Sequence, residues 1–231
     1  MKTIASLLLL TCASAFAAAP VPQLMLTGET FHGDEVPGRT GETWLALVVD
    51  GGKATLQPTT LKIEAVNDPV GDGPDEKTGR SVVAPGIEPR VLLRGIASLR
   101  AGDIAVAMAD PQPLNAGTPL PITFSGKTLN LGVRCSGTGD ALACTVVLGD
   151  GVMEQVLFDT FATRSESGVI ELGEAVPSVL FAGDLDRDGR VDLLIDTTDH
   201  YNLSRPTLFL SGAAKKGQHV AHVAQQSITG C

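Results

Sequence analysis

The sequence predicts an all-β protein, and three observations carry that prediction. Twenty-six Gly and 14 Pro cut the chain into short lengths, the lengths between them are rich in Val, Leu, Ile and Thr, and few stretches place apolar residues at helical spacing. The architecture expected is a β-sandwich or irregular β-domain carrying one metal-binding β-hairpin. The 231 residues suffice for one large or two small domains. Composition divides them into a leader at 1–18, an N-terminal β-subdomain at 19–110 and a C-terminal β-subdomain at 121–231. The Pro-rich DPQPLNAGTPLP joins the two subdomains.

In chain order, MKTIASLLLLTCASAFAAAP sets Lys2 before the apolar run Ile4–Leu10 and then small residues, the grammar of a secretory signal. Ala15-Phe16-Ala17 supplies an A-x-A site, so cleavage is expected near Ala17–Ala19. A competing reading makes Cys12 a lipid-anchored N-terminus, but Thr11 stands where the lipobox usually has a smaller residue. No other stretch approaches the ~18 uninterrupted apolar residues that cross a bilayer. The localisation expected is secreted or periplasmic.

QLMLTGE then reads as a strand. WLALVV is apolar on both faces and belongs in the middle of a core, and Asp50-Gly51-Gly52 turns it back. LKIEAV alternates, with Leu61, Ile63 and Ala65 on one face, as a half-solvated antiparallel strand does. NDPVGDGPDEKTGR is too polar and too rich in Gly and Pro to pair, so it is a surface loop. Its acids Asp68, Asp72, Asp75 and Glu76 match no known cation loop and are not taken as a site. RVLLRGIASLRAGDIAVAMAD gives two apolar runs hinged at Ala101-Gly102-Asp103. Past the connector, ITFSGKTLNLGVRC, ALACTVVLGDG and VMEQVLFDTF form a meander, and PTLFLSG and HVAHVA close the chain as strands.

Four cysteines become three when Cys12 leaves with the leader. Cys135 and Cys144 flank the reversal SGTGDALA, and period two places Cys135 with Leu129, Leu131 and Val133 and Cys144 with Val146 and Leu148. A disulfide between them is expected in an oxidising compartment, with Cys231 remaining an alternative partner for either. The formal charge of −9 becomes −10 without Lys2, which argues against nucleic acid as a partner because a phosphate backbone needs a basic stripe.

The chemistry concentrates in GDLDRDGRVD. Asp184, Asp186 and Asp188 alternate, Gly189 permits a sharp turn, and Asp192 follows. Ca²⁺ takes six to eight oxygens, and short side chains at alternate positions of a tight loop can wrap them round one centre. The expected ligands are Asp184, Asp186 and Asp188 at loop positions one, three and five, the backbone carbonyl of Arg190 at seven, and Asp192 at nine, directly or through water. Like charges so close repel unless a cation or protons neutralise them. The Arg187 and Arg190 side chains are expected at the rim, screening that repulsion. The loop is not an EF-hand, since Ile195 stands where a bidentate Glu belongs and VPSVLFAG reads as a strand.

SVLFAGDLDRDGRVDLLIDT resembles the calcium-loop repeat of the FG-GAP and VCBS families over roughly residues 176–210. The resemblance implies a β-hairpin that holds Ca²⁺ through Asp184, Asp186, Asp188 and Asp192. In those families the repeat builds propeller blades of adhesion and ligand-binding proteins. A propeller needs about four blades and one motif is visible, so a full propeller is not expected.

Other constellations count for less. Asp199-His200-Tyr201 and the His219/His222 pair suggest zinc, but H-x-x-H places its rings on opposite faces of a strand. There is no G-x-S-x-G; Ser178, Ser204 and Ser211 have ordinary structural readings. TFSGKT mimics the end of a P-loop, with Pro121 where the leading glycine belongs. No catalytic residue is assigned. The expectation is a non-catalytic exported module whose surface Ca²⁺ orders for a protein or glycan partner, with a secreted hydrolase holding a structural calcium as the alternative.

Overall fold

The computed structural model describes residues 20–28, 30–173 and 176–230. The expected leader, with Lys2 and Cys12, and the C-terminal Cys231 lie outside the described residues. No α-helix occurs among the described residues, so none is long and apolar enough to cross a membrane.

The strands are β1 (Gln23–Met25), β2 (Thr30–Phe31), β3 (Thr43–Asp50), β4 (Lys53–Thr60), β5 (Lys62–Val66), β6 (Gly79–Val83) and β7 (Val91–Arg94). There follow β8 (Gly102–Met108), β9 (Gln112–Pro113), β10 (Leu120–Phe124), β11 (Lys127–Ser136), β12 (Ala141–Gly149), β13 (Glu154–Arg164) and β14 (Ile170–Glu171). The last are β15 (Ser178–Asp184), β16 (Asp192–Asp196), β17 (Leu203–Ser204), β18 (Pro206–Leu210), β19 (Ala221–Gln225) and β20 (Ile228–Thr229).

The all-β class therefore holds, and the largest sheet curls on itself. Its order is β1-β7-β3-β4-β8-β15-β16-β18-β19, with β9 added beside β15. The two ends meet where the Leu26 N–H, just past β1, donates to Oε1 of Gln226, just past β19, at 2.8 Å. All nine strands on that path send side chains into one apolar cluster, among them Leu24, Leu47, Leu56, Leu93, Phe181 and Leu194. A nearly closed barrel with a filled interior accounts for this. Burying each large apolar side chain there contributes about 1.5–3 kcal/mol.

Two smaller layers cover the barrel's outside. Strands β10 to β14 form a five-stranded meander, and β2-β6-β5 form a three-stranded sheet. The meander packs Ile122, Leu131, Val146 and Leu148 against Ala182, Leu193, Ile195 and Phe209 on the outer face of β15, β16 and β18. The small sheet packs Phe31 and Val82, with Leu61 just before β5, against Met25, Trp44, Ala46 and Leu92.

These layers explain the continuous apolar runs. In β16, Leu193 and Ile195 face the meander while Leu194 faces the barrel interior. In β3, Trp44 and Ala46 face the small sheet while Leu47 faces inward, so WLALVV is buried on both sides as its composition implies.

The expected hairpins are present. Gly51 and Gly52 take φ of +53° and +80° between β3 and β4, a turn that β-branched residues would strain. Cys135 and Cys144 sit opposite each other in the β11–β12 ladder and form the expected disulfide. TFSGKT is the β10–β11 reversal. The connector is ordered: β9 pairs with β15, and Leu114 is buried in the meander core. The main sheet draws strands from both sides of it, since β8 pairs with β4 before it and with β15 after it.

Candidate metal centre

The acidic loop links β15 to β16 and is closed on a third side by the end of β18. Gly189 turns it with φ +83°, the conformation expected of it. Arg187 takes φ +60°, costly for a residue with a β-carbon. Its guanidinium offsets that cost by donating to the Asp103 carbonyl from Nε (3.2 Å) and Nη2 (3.1 Å), and to the Arg100 carbonyl from Nη1 (3.0 Å). The sequence reading has Arg187 screening the carboxylates from the rim; its guanidinium instead clasps the loop to backbone carbonyls of the β7–β8 connection and the start of β8.

Asp184 is buried at the strand end, and its oxygens accept from the N–H groups of Asp188 and Gly189, both at 3.0 Å. Asp188 accepts the Arg190 N–H at 2.8 Å and the Ser211 hydroxyl at 2.9 Å through Oδ1. Its Oδ2 takes the Arg190 guanidinium at 2.9 and 2.7 Å. Although burial pushes the Asp188 carboxyl up, Arg190 and Ser211 hold it below the usual carboxylate range.

Asp192 is fully buried and works as an anchor. Its Oδ2 accepts the N–H of Leu185 at 2.7 Å and of Asp186 at 3.2 Å, while Oδ1 accepts the Ser211 N–H at 2.7 Å and hydroxyl at 2.9 Å. Burial pushes its pKa up to about 7 despite those donors, with the charge of Asp186 adding to the rise.

Asp186 differs from its neighbours. Both of its oxygens are buried and neither has a hydrogen-bond partner. Burial raises its pKa first and the charges of Asp188 and Asp184 raise it further, while the N–H groups of Asp188 and Gly212, which approach it without completing a hydrogen bond, offset part of the rise. An unpaired carboxylate out of water costs several kcal/mol, so such groups are paired, protonated or bound to a metal. Asp184, Asp186 and Asp188 each bring one oxygen to within 4.8 Å of the others, and this acidic triad could hold a metal ion. It is the only such group among the described residues.

Ser211 and Gly212 belong to the site although the sequence did not mark them. The Ser211 hydroxyl lies 2.9 Å from Oδ1 of both Asp188 and Asp192, and its one proton is shared between them. A β-carbon at position 212 would collide with the Asp186 carboxylate, so glycine there leaves that side chain its space. Both follow the ordinary apolar run TLFL, and only the β16–β18 pairing brings them to the loop.

The histidines have separate partners. The His200 ring pairs with Asn202, the His219 ring faces the Met153 carbonyl at 3.2 Å, and His222 lies edge-on to Phe209 with ring centroids 6.0 Å apart. The β19 strand begins at Ala221, so only the later part of HVAHVA is in it. In the 67–78 loop, Asp72 accepts from the N–H groups of Asp68 and Thr78, and Glu76 accepts from Gly73. Those acids hold their own loop together.

No protein-family model matches the chain, and no curated protein or solved structure matches it either.

Proposed function

We propose that the 184–192 loop is a calcium site and that the chain is an exported, non-catalytic binding or structural module whose cation-ordered surface meets a protein or glycan. The observation that carries this reading is the pair of buried, partnerless oxygens on Asp186 inside a triad that could share an ion. Asp184, Asp186 and Asp188 would hold the ion with the Arg190 carbonyl, and Asp192, whose oxygens already accept from Leu185, Asp186 and Ser211, would stand at position nine through water rather than directly. A hard cation with several oxygen ligands and no fixed geometry suits carboxylates on a turning backbone; Mg²⁺ prefers strict octahedral sites with more water. The FG-GAP-like and VCBS-like pattern of residues 176–210 supports the same choice.

The ion's role here is architectural. It would neutralise a corner joining β15, β16, the end of β18 and, through Arg187, the β7–β8 connection. The Cys135–Cys144 disulfide supports export, because such bonds persist in oxidising compartments. Thermal unfolding of the mature chain in calcium, in magnesium and in chelator tests the proposal. Calcium should raise Tm by mass action on the folded state, magnesium should raise it less, and Asp186→Ala should remove most of the calcium increment. An equal increment in that variant would refute the assignment.

A further inference from the structure

A chemically mixed cleft lies beside the acidic loop. Its volume is about 380 Å³, within the range that accepts small organic ligands, and it opens where the barrel meets the meander. Four separate segments wall it: the β10–β11 hairpin, the β12–β13 turn at Asp150, the loop at Gly189–Val191, and Gln218–His219 before β19. Val191 is buried and Phe124 and Leu129 are half-buried, so the floor is apolar.

The polar groups round that floor are mainly donors. Lys127 stands on the hairpin with no ion pair among the described residues. Arg190 commits Nε and Nη2 to Asp188 and Nη2 also to the Ser211 carbonyl at 2.6 Å, while its Nη1 has no hydrogen-bond partner among the described residues. Asp150 is the single carboxylate on the wall. Its Oδ1 is occupied by its own turn, accepting the N–H groups of Val152 and Met153 at 2.8 and 2.7 Å.

The geometry points to a binding site for a small organic acid, a carboxylate on a compact apolar body, whose affinity rises when the neighbouring loop holds its cation. The apolar body lies on Phe124, Leu129 and Val191, and the carboxylate meets the Lys127 ammonium and Nη1 of Arg190, the guanidinium nitrogen left without a partner among the described residues. The coupling rests on the calcium reading above. Arg190 is shared between the cleft and Asp188, so an ion that neutralises Asp188 leaves more of the guanidinium's charge for the cleft. Linkage makes the effect reciprocal: the acid tightens calcium by the same factor.

Calorimetric titration with phenylacetate, in calcium and in chelator, tests this, with neutral phenylacetamide and inorganic phosphate as comparison probes. Phenylacetate should bind, phenylacetamide and phosphate should bind far more weakly, and calcium should strengthen phenylacetate binding by about fivefold. Lys127→Glu, an exposed change whose folding is checked by its melting curve, should weaken phenylacetate by about tenfold or more. Equal binding of acid and amide, or no effect of Lys127→Glu, overturns the cleft assignment. A calcium-dependent Tm without phenylacetate binding overturns it too and leaves the ion site standing. Phenylacetate binding with no calcium effect on Tm overturns the ion reading and the coupling with it.

Discussion

The N–H of Leu26 donates to the buried carboxamide of Gln226 at 2.8 Å, joining positions 200 residues apart. The same carboxamide donates from Nε2 to the Glu35 carbonyl at 3.0 Å, so one side chain closes the barrel and ties down the loop outside it. Gln226→Leu keeps the bulk but strands both partners, which costs about 1–3 kcal/mol per buried group left unmade. Urea unfolding should show a lower midpoint with an unchanged slope; an unchanged midpoint would mean that the seam does not depend on this contact.

Two glycines should fail differently. A β-carbon at Gly183 would press into the Ala105 carbonyl and the Phe181 ring, where backbone cannot yield, so Gly183→Ala should destabilise the β8–β15 pairing by about 1–3 kcal/mol. A β-carbon at Gly212 would meet the Asp186 carboxylate. Gly212→Ala should therefore shrink the calcium-dependent rise in Tm more than it lowers the Tm measured in chelator. Comparing the two variants with and without calcium checks the contrast.

His32 pairs with the buried Asp68, and this contact raises the His32 pKa above 6.5 against the opposing effect of burial, with the charges of Asp68, Glu35 and Asp34 reinforcing the rise. The hydrogen bond from His32, with the N–H of Val70, lowers Asp68 below 3.8. The raised histidine contributes stability that is complete below 6.5 and lost as pH climbs through its folded value. The lowered aspartate contributes stability present above 3.8 and lost as pH falls through its folded value. The stability difference between wild type and His32→Gln should thus be wide near about pH 5.5 and shrink toward about pH 8.5. A gap of constant size would remove the pair from the pH dependence.

The Cys135–Cys144 bond closes a short loop, with nine residues of sequence separation, inside a ladder that already pairs on both sides. Replacing both cysteines by alanine should cost about 2–3 kcal/mol, the lower part of the range for disulfides because the loop is short. Hydrogen exchange should locate the loosening in β11 and β12 and leave β3 and β4 protected.

The strands were legible in the sequence wherever turn chemistry and alternation agreed. Gly51-Gly52 marked the β3–β4 hairpin, and the phases of Cys135 and Cys144 marked their pairing. The curl of the main sheet was not legible, because it depends on pairings between distant segments such as β8 with β15. Nor was the irregularity between Val179 and Phe181, which breaks the register of β15 against β16. Beyond it Val179 faces the meander and Phe181 the barrel interior, so simple alternation misassigns one of them. At the site, spacing picked out Asp184, Asp186 and Asp188, because alternation along a loop is local. It could not distinguish Asp192 as the anchor, nor find Ser211 and Gly212, since those roles come from a strand some twenty residues on.

Strands β15, β16 and β18 give one face to the barrel interior and the other to the meander, so the two cores share a wall. Melting either one strips its neighbour of an enclosing surface. The molecule should therefore come apart in a single heat-absorption peak, with calorimetric and van 't Hoff enthalpies equal, and an injury at the far side of the meander should register as a loss throughout the barrel.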